Sequence, residues 1–228
     1  MGVSIKRAPT FKPNLPPGWM HKHFGFLLTK NNEDREAFFL RVAEIFPPTD
    51  ERYQLIEWAY ETAKREFAHM PPRTTGERYF EHLRATALIL IVHLRVRDAN
   101  IIAAALLHDI VEDIRERWSV ERLRKESNDK VAGIVNWVSK PEPRDGESKE
   151  QLERRYHRRL AEAPREAILV KLADRLHNLI TLWGQKPERI RNKVLETHNF
   201  IIGLAEKHQI LVHEIEAVLD HIERRYKI

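Results

Sequence analysis

The stretch AAALLHDIVEDI, residues 103–114, joins an apolar run to four side chains that can bind a metal ion or move a proton. His108 and Asp109 follow the apolar run directly, and Glu112 and Asp113 come next along the chain. Residues four apart share one face of a helix, so these groups would form a compact polar patch at the end of an apolar helix. Burying unpaired carboxylates is costly, and a divalent cation would offset that cost by supplying the opposite charge.

Two further segments place a candidate ligand inside an apolar helical pattern. His82 lies in RYFEHLRATALIL, and Asp174 lies in ILVKLADRLHNLITL, where a buried carboxylate requires a charged partner. Together with His108 and Asp109 they would supply two imidazoles and two carboxylates, a set without thiolate that suits Mn²⁺, Fe²⁺ or Zn²⁺. Such a set leaves coordination positions for water and substrate, which is typical of a catalytic site rather than a structural one.

The alternative is that these are ordinary helix residues, because a single His-Asp pair is common on solvated helices. The chain has 12 histidines, and most are expected to be structural. Five are interpreted in this way because we see no acidic partner at a useful spacing: His93, His157, His208, His213 and His221. For His69 and His177 the sequence favours neither a structural role nor a role in the site. The metal interpretation depends on three separate segments, each with a ligand type in an apolar frame.

The elements that must position these groups are predicted to be helices. Apolar spacing and end signals predict helices over residues 32–46, 50–69, 79–93, 99–117, 120–138, 147–161, 164–182, 187–207 and 210–226. Pro9, Pro13, Pro16 and Pro17 predict a loop or extended arm before the first helix. No convincing strand or repeat is found, so the fold class expected is all-α.

The amino-acid composition excludes several classes of protein. With 42% hydrophobic residues in 228, the chain can bury a core, and no apolar run reaches the roughly 18 residues needed to span a membrane. The absence of cysteine excludes disulfides and thiolate sites and fits a cytoplasmic protein.

A formal charge of +5 leaves two partners open, nucleic acid or a small polyanion such as a nucleotide phosphate. The densest basic cluster consists of Arg154, Arg155, Arg158 and Arg159, and it is interpreted as a solvated helix face.

Three segments, in order, resemble the hydrolase domain of RelA/SpoT proteins, a branch of the HD phosphohydrolase superfamily. They are the Arg-x-x-Gly-Glu-x-Tyr lead-in at residues 73–79, the HDxxED segment at 108–113 and the LADRLHN segment at 172–178. The resemblance covers about residues 52–226, and its C-terminal stretch is most similar to the stand-alone small alarmone hydrolases. It implies a compact multi-helix HD-domain bundle at residues 51–228, with residues 1–50 as an N-terminal extension of unknown role.

That family removes the 3′-pyrophosphate from the guanosine alarmones ppGpp and pppGpp, leaving GDP or GTP. The resemblance implies that His82, His108, Asp109 and Asp174 are the ligands of one divalent ion per chain, usually Mn²⁺. The partner expected is therefore a small-molecule nucleotide and not a membrane. A nucleic-acid-binding module that uses the old site only as a scaffold is the rival interpretation, and an oligomer stays open.

The same resemblance assigns the remaining site residues. Glu112 and Asp113 match the acidic pair that supports the attacking water. Arg73 matches the arginine that packs on the guanine base, and Asn178 and Thr181 match positions that line the nucleotide pocket.

Three departures from the family pattern concern the nucleotide rather than the chemistry. Leu83 stands where proline often follows the first histidine, Thr74 where lysine commonly follows the base-packing arginine, and Met70-Pro71-Pro72 replaces a Gly-Gln step. Because of Thr74, other substrates of an HD phosphohydrolase stay open, namely ppApp, a dNTP or NADPH.

Overall fold

The computed structural model describes Phe24 and residues 35–228, and the residues from Arg35 onward form one compact unit. No β-strand occurs in the described part of the chain, so the predicted all-α class is confirmed. The helices are α1 Arg35–Ala43, α2 Glu51–Glu66, α3 Tyr79–Leu88, α4 Ala99–Leu107, α5 Ile110–Asp113, α6 Val120–Glu126, α7 Asp129–Val138, α8 Lys149–Ala161, α9 Arg165–Ile180, α10 Pro187–Glu196, α11 Ile202–His208 and α12 Val212–Tyr226.

Two π-helical segments extend helices at their ends. The first, π1, spans Ile89–His93 after α3, and the second, π2, spans Thr197–Ile201 between α10 and α11. The sequence predicts continuous helices there, because hydrophobic spacing does not reveal a change from four-residue to five-residue hydrogen bonding. The proline-rich arm and the predicted helix start at Asn32 lie outside the described residues.

Helix α4 forms the centre of the core. Eight of its nine residues are buried, all except Asn100, because nearly every side chain in ANIIAAALL is apolar. A helix that is apolar on all sides must be covered on all sides. Accordingly α4 contacts α2, α3, α7 and α9.

Helix α1 belongs to the same unit as the helices that follow it. Its Phe38 and Phe39 lie 5.1 and 5.2 Å from the ring of Tyr60 in α2, measured between ring centroids. Arg35 adds ion pairs to Glu57 and Glu61 on α2. The division of the chain at residue 50 stays a prediction about which part carries the activity.

Two of the long predicted helices are interrupted by residues that cap a helix. The predicted helix 120–138 is divided at Ser127 and Asn128, since the Asn128 side chain accepts a hydrogen bond from Val131 N at 2.9 Å and starts α7. The predicted helix 99–117 is divided at His108 and Asp109, where α4 ends and the short α5 begins. The break therefore falls at the residues proposed to do the chemistry.

Candidate metal centre

Four side chains from three parts of the fold converge beside the end of α4. His82 comes from α3, His108 and Asp109 from the junction of α4 and α5, and Asp174 from α9. His82 Nε2 lies 3.1 Å from Asp174 Oδ1 and 3.9 Å from Asp109 Oδ2. His108 Nε2 lies 3.3 Å from Asp109 Oδ2 and 3.6 Å from Asp174 Oδ1. The four predicted ligands are thus brought together, while their role as ligands stays a prediction.

The tautomer of His108 follows from its surroundings. Its Nδ1 lies 2.8 Å from the carbonyl oxygen of Ala105, which can only accept, so Nδ1 carries a proton. Nε2 is buried and has no hydrogen-bond partner of good geometry among the described residues. In the neutral imidazole that nitrogen presents its lone pair towards Asp109 and Asp174.

His82 is held from behind by a second histidine. His82 Nδ1 and His177 Nδ1 are 2.8 Å apart, and both rings are buried. Burial lowers the pKa of His82 to about 4 and holds the pKa of His177 well below its usual range, so both rings are neutral at pH 7. One proton is then shared across the contact. If His82 carries it, His177 accepts it and His82 Nε2 is free to bind an ion, the arrangement expected behind a metal-bound histidine.

Asp174 stays ionised although it is buried. Burial alone would raise its pKa, but Lys171 and the two histidines hold the pKa well below its usual range. Lys171 Nζ donates to Asp174 Oδ2 over 3.1 Å, which leaves Oδ1 directed towards His82 and His108. Asp109 is similar, since burial is outweighed by the charge of His108 and the pKa of Asp109 falls to about 2.

The predicted acidic pair is separated in the structure. Asp113 Oδ2 lies 2.6 Å from the hydroxyl of Tyr79, which also lies 2.8 Å from Asp109 Oδ2. Burial, and then the charge of Asp109, raises the pKa of Asp113 to about 6. Glu112 points elsewhere, because its Oε2 accepts a hydrogen bond from Lys140 N at 2.8 Å.

The predicted nucleotide-binding residues form one group next to the metal ligands. Arg73 Nη2 donates to Asn178 Oδ1 at 2.8 Å and to Thr181 Oγ1 at 3.1 Å. Asn178 and Thr181 lie one above the other at the end of α9, so both reach the guanidinium of Arg73 in the preceding loop. The sequence interpretation named these three residues separately, and the structure joins them.

The centre fits a divalent cation. Donor atoms bound to one ion at about 2.1 Å lie about 3.0 to 3.5 Å from each other in octahedral or tetrahedral coordination. The four histidine-to-aspartate spacings of 3.1 to 3.9 Å need only a small contraction, and ligand atoms of His82, His108 and Asp109 all lie within 4.8 Å of one another. Two anionic carboxylates, a neutral His82 and the Nε2 of His108, which must give up its proton to bind an ion, form the donor set.

A second group of potential ligands lies away from this centre, at Glu153, His157 and Glu196. Its carboxylates already have cations, since Glu196 binds Arg175 at 2.5 Å and Glu153 binds Lys140 at 3.3 Å. The group is therefore neutralised by the protein itself. His157, interpreted from sequence as lacking an acidic partner, has both glutamates within 4 Å.

The comparison with protein families identifies the fold around this centre. The model of the HD domain family matches residues 59–211, which is more than half of the chain. The chain belongs to the HD domain family. His82, His108, Asp109 and Asp174 all lie within the matched HD domain.

Similar proteins place the HD domain near the RelA/SpoT group. A guanosine-3′,5′-bis(diphosphate) 3′-pyrophosphohydrolase of Haemophilus influenzae is 32% identical over 154 residues, 66% of this chain and 22% of that protein. The bifunctional (p)ppGpp synthase/hydrolase SpoT of Escherichia coli K12 is 33% identical over 154 residues, 66% of this chain and 21% of SpoT. The chain therefore spans about a fifth of the length of these curated relatives.

A solved structure is similar to this chain as well, in addition to the two relatives. It belongs to a metazoan ortholog of SpoT described as hydrolyzing ppGpp and playing a role in starvation responses. The TM-score is 0.62 at 25% identity, over 75% of this chain and 94% of that one. The resemblance to RelA/SpoT-type HD domains, drawn from three motifs, is confirmed.

Two residues of this HD domain site were not assigned a role from sequence. Tyr79 was only part of the lead-in motif, and His177 was left undecided. Their roles come from contacts between helices, such as Tyr79 of α3 reaching Asp109 and Asp113 beyond the end of α4. No spacing within one segment reveals such a contact.

Proposed function

We propose that this HD domain removes the 3′-pyrophosphate of guanosine alarmones, converting ppGpp or pppGpp into GDP or GTP and pyrophosphate. The observation that carries the proposal is the convergence of His82, His108, Asp109 and Asp174 one hydrogen bond away from the Arg73–Asn178–Thr181 group. A metal-binding donor set and a nucleotide-binding group are therefore adjacent. The similarity to alarmone pyrophosphohydrolases over 66% of the chain supports the same substrate class.

We propose Mn²⁺ as the ion, held by the two histidines and the two aspartates, with Fe²⁺ and Zn²⁺ as the other ions that this donor set accepts. When bound, the ion supplies the positive charge that acidifies water and neutralises phosphate oxygens. Asp174 can keep its charge for this task because Lys171 and Asn178 bond its two oxygens from the protein side.

Asp113 is proposed as the group that takes the proton from the attacking water. A pKa of about 6 leaves its carboxylate mostly ionised at pH 7 yet basic enough to accept a proton, which suits a general base. Tyr79 fixes Asp113 beside Asp109, so the base stays next to the ligand set. Glu112, bonded to the Lys140 backbone, is proposed to hold the neighbouring loop rather than to take the proton.

In the reaction, water oxygen bonds to the phosphorus joined to the ribose 3′ oxygen, and the bond from phosphorus to that oxygen breaks. Pyrophosphate leaves as a unit, and the 3′ oxygen takes up a proton. Arg73 would stack on the base and hold the nucleotide, since its guanidinium is fixed in place by Asn178 and Thr181.

The nucleotide is tested with a panel of ppGpp, ppApp, a dNTP and NADPH, each with Mn²⁺. We expect pyrophosphate release to be fastest from ppGpp. The panel is needed because Thr74 stands where the family commonly has lysine, and its hydroxyl accepts a hydrogen bond from Gln185 Nε2 at 2.5 Å. Faster turnover of another nucleotide would reassign the substrate within the same HD chemistry.

The metal chemistry is tested with Asp109→Ala, and Asp220→Ala on the exposed face of α12 serves as the matched control. We expect Asp109→Ala to abolish Mn²⁺-dependent release of pyrophosphate while circular dichroism stays helical. Normal turnover by this variant would end the assignment. A gel shift with RNA at increasing salt tests the rival nucleic-acid function, because backbone binding falls steeply with salt.

A further inference from the structure

The basic cluster on α8 divides into two pairs with different surroundings. Arg155 is used by the fold, since it binds Glu147 at 2.7 Å and donates to the carbonyl oxygen of Glu142. Arg159 is also used, because it donates to carbonyl oxygens of Asn136 and Ser139 at the end of α7. These contacts explain two of the four arginines.

The other two arginines have no such role. Arg154 and Arg158 are exposed, and their guanidinium groups make no hydrogen bond or ion pair with any residue that the structure describes, although the charge of Arg154 acts on Glu150 one turn earlier. They lie one turn apart on the same face, where two like charges destabilise a helix. The guanidinium of Arg144, in the loop before α8, likewise makes no hydrogen bond or ion pair with the described residues, although the Arg144 backbone N–H donates to Glu147 Oε2 at 3.0 Å. Direct contacts of the guanidinium groups with the fold therefore do not account for these three cations.

The three arginines line one cavity of about 870 Å³. That volume lies within the range of about 300 to 1,000 Å³ typical of small-molecule sites. Of the two carboxylates in the lining, Glu147 is already paired with Arg155, and Asp145 is the other. The cavity is therefore basic, and no residue in its lining belongs to the metal centre described above.

An aromatic surface forms another part of the same cavity. The rings of His157 and Phe200 are stacked, with centroids 4.0 Å apart and planes inclined by 10°. Phe200 belongs to the π2 segment, and π-helical turns inside α-helices occur frequently at functional sites. Phe200 is half-buried and lines the same cavity as Arg144, Arg154 and Arg158. The π-helical segment therefore places an aromatic ring in the basic cavity.

We propose that this cavity is a second ligand site, which binds a small phosphorylated nucleotide independently of the metal centre. Arginine guanidinium groups bind phosphate oxygens through charge-assisted, paired hydrogen bonds. The phosphates would lie against Arg144, Arg154 and Arg158, and the base would lie against the ring of Phe200. The inference does not depend on the proposed hydrolysis, because it concerns binding by residues outside that site.

The test is isothermal titration with GDP and with inorganic pyrophosphate, without added divalent ion. The variant is Arg154→Gln/Arg158→Gln, and the control Arg97→Gln/Lys125→Gln removes the same charge from exposed positions elsewhere. The wild type, the double variant and the control all keep the metal centre, so any binding of GDP or pyrophosphate there is the same in the three proteins. We expect the double variant to lose one GDP site or to bind it at least about tenfold more weakly, with the control unchanged.

Phe200→Ala distinguishes binding of the base from binding of the phosphates. We expect GDP to bind more weakly and pyrophosphate to bind as before, because only the base meets the ring. Equal GDP binding by the double variant and the wild type would overturn the proposal, as would a Phe200→Ala protein that binds GDP normally. RNA binding that depends on the two arginines, without any effect on GDP, would overturn it in favour of a polymeric ligand.

Discussion

Asn178 donates a hydrogen bond from its Nδ2 to Oδ1 of Asp174 over 2.5 Å. The other end of the same amide accepts from Arg73, so one side chain joins the proposed base-binding arginine to a proposed metal ligand. Asp174 and Asn178 lie on α9, one turn apart, and the helix fixes their separation. Nucleotide binding and ion binding are therefore expected to depend on each other.

Asn178→Ala tests that dependence. The change removes a partner of Arg73 and a hydrogen bond to Asp174, so we expect a higher KM together with about tenfold weaker Mn²⁺ binding. Steady-state kinetics measure the first effect, and Mn²⁺ titration without nucleotide measures the second. Asn192→Ala, on the exposed surface of α10, is the control. A change in KM alone would show that Asn178 serves only the nucleotide.

His177 is expected to control ion affinity through His82. His177→Phe removes the acceptor for His82 Nδ1 and should weaken Mn²⁺ binding about 10- to 100-fold, the usual effect of losing a hydrogen-bond partner behind a ligand. His177→Gln keeps an acceptor and should recover much of that loss. Titration of the ion reports this without turnover. Equal affinities for the Phe and Gln variants would refute the role.

Ion binding is expected to release protons near neutral pH. Burial alone would lower the pKa of His108, but Asp109 and Asp174 raise it well above its usual value, so the ring holds a proton without an ion. A metal ligand must be neutral, and ion affinity should therefore rise as pH increases. Titrations of Mn²⁺ in buffers of different ionisation enthalpy count the protons. No proton release at pH 7 would contradict this.

The rate is expected to fall on the acidic side because of Asp113. Its pKa is raised, first by burial, to about 6, and only the ionised form can accept a proton. In the wild type, kcat/KM should decline as pH falls through about 6, or somewhat lower if the bound cation reduces the pKa. Asp113→Asn should lose about 10²-fold or more at pH 7, and Glu112→Gln should lose less. A larger loss of activity in Glu112→Gln than in Asp113→Asn would make Glu112, and not Asp113, the group that accepts the proton.

Glu196 is expected to make folding stability depend on pH. Burial would raise its pKa, but His157 and then Arg175 lower it below the usual value, so the stabilisation is present above the unfolded pKa and is lost as pH falls. Glu196→Gln leaves the buried Arg175 without its carboxylate and should cost about 3 kcal/mol in urea unfolding at pH 7. The exposed Glu206→Gln should change stability by about 0.5 kcal/mol or less.

The sequence predicted the helices well where one segment carried the whole signal. Helix α4 is apolar except for Asn100, and α8 begins two residues after the start of the predicted helix 147–161, so both were found. The breaks at Asn128 and His108 were missed, because a cap inside an apolar pattern looks like one more helical residue. The four candidate ligands, whose role stays a prediction, were singled out because a buried polar group in an apolar helical pattern is costly and therefore stands out.

Contacts between helices were the part that the sequence did not predict. The bridge from Tyr79 to Asp109 and Asp113 and the contact of His82 with His177 each join segments far apart along the chain. The different directions of Glu112 and Asp113 were also missed, because a continuous helix was assumed there. The path of the chain after His108 decides which carboxylate faces Tyr79.

Because the donor atoms come from α3, from the α4–α5 junction and from α9, they are assembled only when these helices are packed together. The unfolded chain offers no comparable chelate. An ion held there acts as a reversible cross-link between distant segments, and the midpoint of thermal denaturation should climb with free Mn²⁺ concentration. A chelator added with the ion should return the midpoint to the value of the ion-free protein.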